Sequence, residues 1–180
     1  MELIRYAILQ YDERNDFIMS DLNSINLKEI VTEATADIFS VMLSMDLEVT
    51  DDDLPESNEQ NKESSIVGSI DFTGNVMGSF KIHFTNDFAY LVTSTMLGME
   101  IDDLDMEEDV YDVVGEISNM IGGNLKTFLS NNGFPCNMTV PSIVSGTDFR
   151  TEVMNYSRRE MYQFKYENNV IQVKIFIKSS

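Results

Sequence analysis

Residues 107–130 read EEDVYDVVGEISNMIGGNLKTFLS, and this stretch decides the fold class that the sequence predicts. A helix turns by about 100° per residue, so residues three or four positions apart lie on one face. Seven apolar residues follow this spacing: Val110, Val113, Val114, Ile117, Ile121, Leu125 and Phe128. They predict a long helix, from about Glu107 to Ser130, with one face in the core. Asn131-Asn132-Gly133 is a suitable C-terminal stop.

The opposite face of this predicted helix is polar. Four residues share it at positions i, i+4, i+7 and i+11: Asp112, Glu116, Asn119 and Gly123. Polar residues opposite an apolar stripe are ordinary on a surface helix, so the spacing alone does not identify a site. Gly122 and Gly123 each cost about 1 kcal/mol relative to alanine inside a helix, which favours close packing or close approach by a partner. Asn124 falls on the apolar side, where it is expected to need a buried hydrogen-bond partner.

Two further helices are predicted. The first runs from about Leu27 to Met45, with Asn26 as N-cap and Glu29 completing a capping box. Its apolar residues recur at helical spacing: Ile30, Ala34, Ile38, Val41 and Met45. The second runs from about Asp87 to Leu97, with Gly98 as its stop.

Alternating apolar residues predict a β-hairpin around Gly74-Asn75. Its inward-facing residues are Ile66, Gly68, Ile70 and Phe72, then Val76, Gly78, Phe80, Ile82 and Phe84. Extended segments flank Pro141, and a final strand pair covers about Met161–Tyr166 and Val170–Lys178. The sequence therefore predicts an α+β domain, residues 26–180, with long helices packed on an antiparallel sheet. Residues 1–25 are predicted to be an N-terminal extension or an extra strand.

Composition excludes several classes of function. The chain has 12 lysines and arginines against 31 aspartates and glutamates, a net charge of −19, which disfavours nucleic acid and anionic membranes as partners. One cysteine, Cys136, excludes an intramolecular disulfide and a multi-cysteine metal site. The one histidine, His83, alternates with apolar residues of a strand and is expected to face solvent. No apolar run approaches the roughly 20 residues of a membrane span, and no signal peptide is evident, so a cytoplasmic location is expected.

One motif on the polar helix face is specific. The string Asp112-x3-Glu116-x2-Asn119-x21-Pro141 resembles the signature of the CheC/CheX/FliY family of chemotaxis phosphatases, in which Glu-x-x-Asn lies on a long surface helix and a proline follows at this interval. Two-site members carry the motif twice, whereas the first helix here offers only Glu29-x-x-Thr32 and Glu33-x-x-Ala36. The chain therefore resembles the single-motif CheX branch.

The resemblance implies a phosphatase that accelerates hydrolysis of the aspartyl phosphate of a CheY-type response regulator. Asn119 would orient the attacking water, and Glu116 would pair with the active-site lysine of the regulator. Asp112 would either support docking to the partner or simply belong to the solvated face, Gly123 would permit close approach of the partner, and Pro141 would fix the backbone beside a strand. No cofactor or metal site is expected on this chain, and since the sequence shows no ligand cluster, the magnesium ion would sit on the regulator. The resemblance also implies a homodimer.

Two alternatives stay open. The middle domain of the flagellar switch protein FliM has a similar fold without the phosphatase motif, so a non-catalytic response-regulator-binding or switch-like module is possible on this fold. A hydrolase of small phosphoesters is disfavoured, because such substrates normally meet arginine or lysine and only Lys126 lies near the polar face.

Overall fold

The computed structural model describes residues 22–50, 64–147 and 156–179. These residues form helices packed on an antiparallel sheet, which confirms the predicted α+β class. In chain order the elements are α1 (Leu27–Leu43), β1 (Glu48–Thr50), β2 (Ser65–Gly74), β3 (Val76–Thr85), α2 (Asn86–Leu97), α3 (Tyr111–Asn131), β4 (Cys136–Met138), β5 (Ser142–Gly146), β6 (Arg158–Tyr166) and β7 (Asn169–Ser179). Short 3₁₀ turns occur at Leu22–Ser24 and Ile101–Asp103.

The strands described have the order β1-β6-β7-β3-β2-β4, and β5 also pairs with β2. Every pair is antiparallel. The predicted hairpin is β2–β3, with Ser65 opposite Thr85 and Phe72 opposite Gly78. Gly74 ends β2 with a φ of 146°, a conformation that side chains rarely adopt, so glycine suits this position. The predicted final pair is β6–β7.

One core joins the sheet to the helices. Phe39 of α1, Phe84 of β3 and Phe88 of α2 pack together, with ring centroids 6.2 to 6.4 Å apart. The apolar stripe predicted for the third helix is buried over most of its length: Val110, Val113, Val114, Ile117, Ile121 and Leu125. These contacts hold α3 on the sheet, with its polar face outward.

The apolar stripe predicted for the first helix is partly wrong. Val41 is 80% exposed, and the helix ends at Leu43 because Ser44 takes the left-handed conformation, with φ of 54°. The buried face follows a line displaced by about one residue from the predicted one: Leu27, Val31, Ala34, Thr35, Ile38, Phe39 and Leu43. Asn26 is the N-cap, as predicted, and its side chain accepts from the N–H of Glu29.

The third helix begins with a π-helical turn, Met106–Val110, and continues as α3. The side chain of Asp105 accepts hydrogen bonds from the N–H groups of Glu107 and Glu108, each at 2.9 Å. Its carboxylate thereby satisfies two donors that a helix start leaves without intrahelical partners. The long helix that the sequence predicts is therefore present, but its first turn is wider than an α-helical turn.

His83 is half-buried rather than solvent-facing. Burial, with the neighbouring Lys174 and Lys81, lowers its pKa to about 3. The strand alternation correctly put His83 on the face of β3 opposite Ile82 and Phe84, but it could not show that this face is partly covered. The imidazole is neutral at physiological pH.

The predicted boundary at residue 25 lies next to well-packed chain. Leu22 and Ile25 are buried in the core, and Nη1 of Arg158 donates to the carbonyl oxygens of both, at 2.8 Å each. The remainder of the predicted N-terminal extension, residues 1–21, lies outside the described residues.

Candidate functional site

The candidate site is the outer face of α3, and glycines set the position of this helix. A methyl group in place of the Gly68 hydrogen would overlap the hydroxyl oxygen of Ser118, and one on Gly122 would lie 2.8 Å from Cδ1 of Ile70. Ser118 is itself buried and donates to the carbonyl oxygen of Val114 at 2.6 Å. Glycine on both the strand and the helix therefore lets α3 lie directly against β2.

The four residues predicted to share a face of the helix are accessible. Asp112 and Glu116 are exposed, and Asn119 and Gly123 are half-buried. Within residues 22–50, 64–147 and 156–179, no hydrogen bond or ion pair engages the side chains of Asp112, Glu116 or Asn119. Space is open around Gly123, where an added methyl group would meet no atom within 4 Å. The face thus presents a carboxylate and a carboxamide that the described fold does not use.

Asn124 is exposed, so the expected buried partner for it is wrong. The buried face of α3 turns along the helix. In its second half the buried residues are Ser118, Ile121, Gly122, Leu125 and Leu129, and Ser118 and Gly122 lie against β2. An ideal helical wheel keeps the face fixed, and it therefore placed Asn124 on the apolar side.

Strand β5 runs alongside the edge of this face. The hydroxyl groups of Tyr111 and Ser145 are 2.5 Å apart, and a methyl group on Gly115 would lie 3.9 Å from Cδ1 of Ile143. Four helix residues advance about 6 Å and two strand residues advance about 6.6 Å. The two contacts therefore run in step, and β5 follows this side of α3 from Tyr111 to Gly115.

Pro141 lies at an interruption between β4 and β5, which pair with the same edge of β2. Two pairs flank the interruption: Asp71 with Thr139, and Ser69 with Ser142. Val140 and Pro141 therefore both stand opposite Ile70, which makes this a β-bulge. Proline has no N–H to contribute to a strand ladder, so a bulge accommodates it without loss of a ladder hydrogen bond.

Local sequence patterns do not indicate Val140, which is 84% exposed in this bulge. The signal available was the proline itself, since a proline between two extended segments indicates an edge or a bulge. Two residues of this segment stand opposite one residue of β2, and this becomes evident only from the register of both flanking strand pairs.

The part of the chain that the structure describes has no cluster of three or more histidine, cysteine, aspartate or glutamate side chains that could hold a metal ion. None of the helices in that part combines the length and apolar character needed to cross a membrane.

The family described as chemotaxis phosphatase CheX matches residues 66–165, more than half of the chain. The chain belongs to the CheX family. The resemblance that the helix motif indicated is thereby confirmed at the level of the family. Asp112, Glu116, Asn119, Gly123 and Pro141 all lie inside the region that matches CheX.

A curated relative agrees with the assignment to the CheX family. The protein named CheY-P phosphatase CheX from Thermotoga maritima is 37% identical over 87 residues, which are 48% of this chain and 55% of the relative. The chain thus spans about half the length of this curated relative.

Solved structures share the fold. The crystal structure of chemotaxis protein CheX from Vibrio vulnificus has a TM-score of 0.72 and 24% identity, over 86% of this chain and 97% of that one. The CheX-CheY-BeF3-Mg²⁺ complex from Borrelia burgdorferi has a TM-score of 0.65 and 24% identity, over 86% and 99%. The expected CheX/CheC-like architecture is therefore confirmed.

Proposed function

We propose that this protein is a phosphatase that accelerates hydrolysis of the aspartyl phosphate of a CheY-type response regulator. The observation that carries the proposal is that Glu116 and Asn119 lie accessible on α3, with no hydrogen bond or ion pair to any residue described. Membership of the CheX family supports it, as does the CheY partner named in the Borrelia burgdorferi complex. A cytoplasmic location and a homodimer stay predictions.

The proposed reaction requires this chain mainly to position a water molecule. An acyl phosphate is already reactive, so the phosphatase need only hold a water in line with the phosphorus and stabilise that geometry. The Asn119 amide can donate to this water and accept from it, although it cannot serve as a general base. The magnesium ion needed for phosphoryl chemistry is expected on the regulator.

Glu116 would anchor the helix. An ionised carboxylate is a pure acceptor, and it would pair with the active-site lysine of the regulator. Asp112, one turn earlier on the same face, would support docking. No basic residue near these two carboxylates competes for such pairing, since residues 99–125 contain nine carboxylates and no lysine or arginine.

The direct test is phosphate release from a chemically phosphorylated CheY-type regulator, with and without this protein. Faster release that rises with phosphatase concentration is the expected result. A small aryl phosphate ester serves as the comparison substrate and should not be hydrolysed. Binding to the phosphorylated regulator without faster release would reject the catalytic proposal in favour of a binding module.

Glu116→Lys is expected to weaken binding of the phosphorylated regulator by roughly tenfold to a hundredfold, because it would set like charges against each other. The measurement is a binding titration with the regulator. Glu108→Lys is the matched control, since Glu108 is also exposed near the start of this helix and the charge change is identical. An equal loss in both variants would contradict a specific pair at Glu116 and point to a general charge effect.

Gly123→Ala is expected to stabilise the protein and yet slow phosphate release. Alanine gains up to about 1 kcal/mol over glycine inside a helix, and space around Gly123 is open. A methyl group there would instead obstruct a partner that approaches the helix closely. Thermal unfolding and phosphate release together test this.

Gly122→Ala is the comparison, because its methyl group would press on Cδ1 of Ile70 and offset the same helix gain, so stability should rise less than in Gly123→Ala. A Gly123→Ala variant with raised stability and unchanged phosphate release would rule out close approach at this position.

A further inference from the structure

The bulge between β4 and β5 is held on both sides. The N–H of Thr139 donates to the carbonyl oxygen of Asp71 at 3.0 Å, and the N–H of Asp71 donates to Oγ1 of Thr139 at 3.1 Å. On the other side, Oγ of Ser69 donates to the carbonyl oxygen of Ser142 at 3.2 Å. These three bonds fix the backbone that carries Val140 and Pro141.

Val140 is 84% exposed on this fixed backbone. Single exposed apolar residues are common on protein surfaces, so the exposure of Val140 alone does not indicate a binding role. Val140 differs in that its neighbours hold it in place. Proline fixes φ at position 141 and restricts the backbone of the residue before it, and a β-branched side chain has few χ1 rotamers. The protein therefore presents a pre-ordered apolar group to solvent.

The position of the bulge relative to α3 follows from two sets of contacts. The bulge stands opposite Ile70 of β2. Cδ1 of Ile70 lies 2.8 Å from the point that a methyl group on Gly122 would occupy. In addition, the contacts of Tyr111 and Gly115 with β5 show that this strand follows the side of α3 next to the polar face. The bulge therefore lies beside the turn of α3 that contains Gly122, next to Gly123 of the candidate site.

We propose that Val140 is a partner-binding contact, which packs on an apolar patch of the response regulator next to its phosphorylated aspartate. This inference rests on the proposed function, because the partner is the regulator that the Glu116 and Asn119 face engages. The face itself carries two carboxylates, and the segment 99–125 around it carries nine with no basic residue, so bringing it against another acidic surface is costly. An apolar contact at its edge adds affinity that does not depend on charge.

The test compares Val140→Asp with Val41→Asp. Val41 is 80% exposed on α1, so the control matches the residue, its exposure and the charge introduced. We expect Val140→Asp to raise the KM for the phosphorylated regulator about tenfold with kcat unchanged, a change equivalent to ~1.4 kcal/mol. Val41→Asp should leave both constants as in the wild type, and Val140→Leu should retain most of the affinity. Thermal unfolding of all variants should match the wild type, since each site is exposed.

A direct binding titration with the regulator activated by beryllium trifluoride and magnesium separates the two proposals. If the wild-type protein binds but does not speed phosphate release, the catalytic proposal fails, and a loss of binding in Val140→Asp still supports the contact. Equal binding and equal KM in Val140→Asp and Val41→Asp would overturn the contact and leave the catalytic proposal standing. A wild-type protein that neither binds nor accelerates would overturn both.

Discussion

Asn119→Ala should remove most of the acceleration of phosphate release, by about a hundredfold in kcat, the scale seen when one positioned hydrogen-bonding group is deleted from an active site. The side chain is accessible on α3 and makes no hydrogen bond to any residue that the structure describes. Its removal should therefore cost the fold little. Phosphate release from the phosphorylated regulator measures the first expectation, and thermal unfolding measures the second.

Asn124→Ala is the matched control, since Asn124 is an exposed asparagine on the same helix, five residues further along. It should behave as the wild type in both measurements. Acceleration retained by Asn119→Ala would dismiss this residue as the group that orients water. A large drop in melting temperature would show instead that Asn119 supports the structure.

Gly68→Val should destabilise the protein by about 3 kcal/mol, at the upper end of what overpacking of a well-packed core costs. Its side chain would occupy the volume of the Ser118 hydroxyl and press on Cγ1 of Val114, so that α3 would have to move away from β2. For a chain of this size the melting temperature should fall by roughly 6–12 °C. Calorimetry measures the shift.

A second substitution separates the proposed clash from a general intolerance of β2. Gly68→Ala should be milder than Gly68→Val, and Gly68→Ala combined with Ser118→Gly should recover stability beyond the sum of the two single effects. Strictly additive losses would indicate that Gly68 and Ser118 do not oppose each other.

The sequence predicts those parts of the fold in which periodicity and burial coincide. The alternation around Gly74-Asn75 and the stripe from Val110 to Leu125 each describe a surface with one buried and one open side, and both are confirmed. The motif residues on the helix could be assigned to one face from spacing alone, and their exposure agrees with that assignment. Their catalytic roles stay predictions.

The sequence-based predictions are wrong where packing against a neighbouring element changes which face of a helix is buried. Asn124 is exposed because α3 turns toward β2 in its second half, and Val41 is exposed because the buried line of α1 is displaced by about one residue. A helical wheel contains no information about what lies opposite, so it could predict neither. The bulge at Val140 depends on the pairing of two segments with β2, which is a long-range property that local patterns do not encode.

The close seating of α3 on β2 has a consequence for the entropy of association. Glu116 and Asn119 project from one helix whose back is fixed against the sheet through Gly68 and Gly122, so docking would not require backbone to become ordered at either residue. The ordering cost would then be confined to the rotamers of the contacting side chains, at about 0.5–1.5 kcal/mol for each side chain immobilised. The lower ordering cost would leave a larger share of the contact free energy as affinity for a partner.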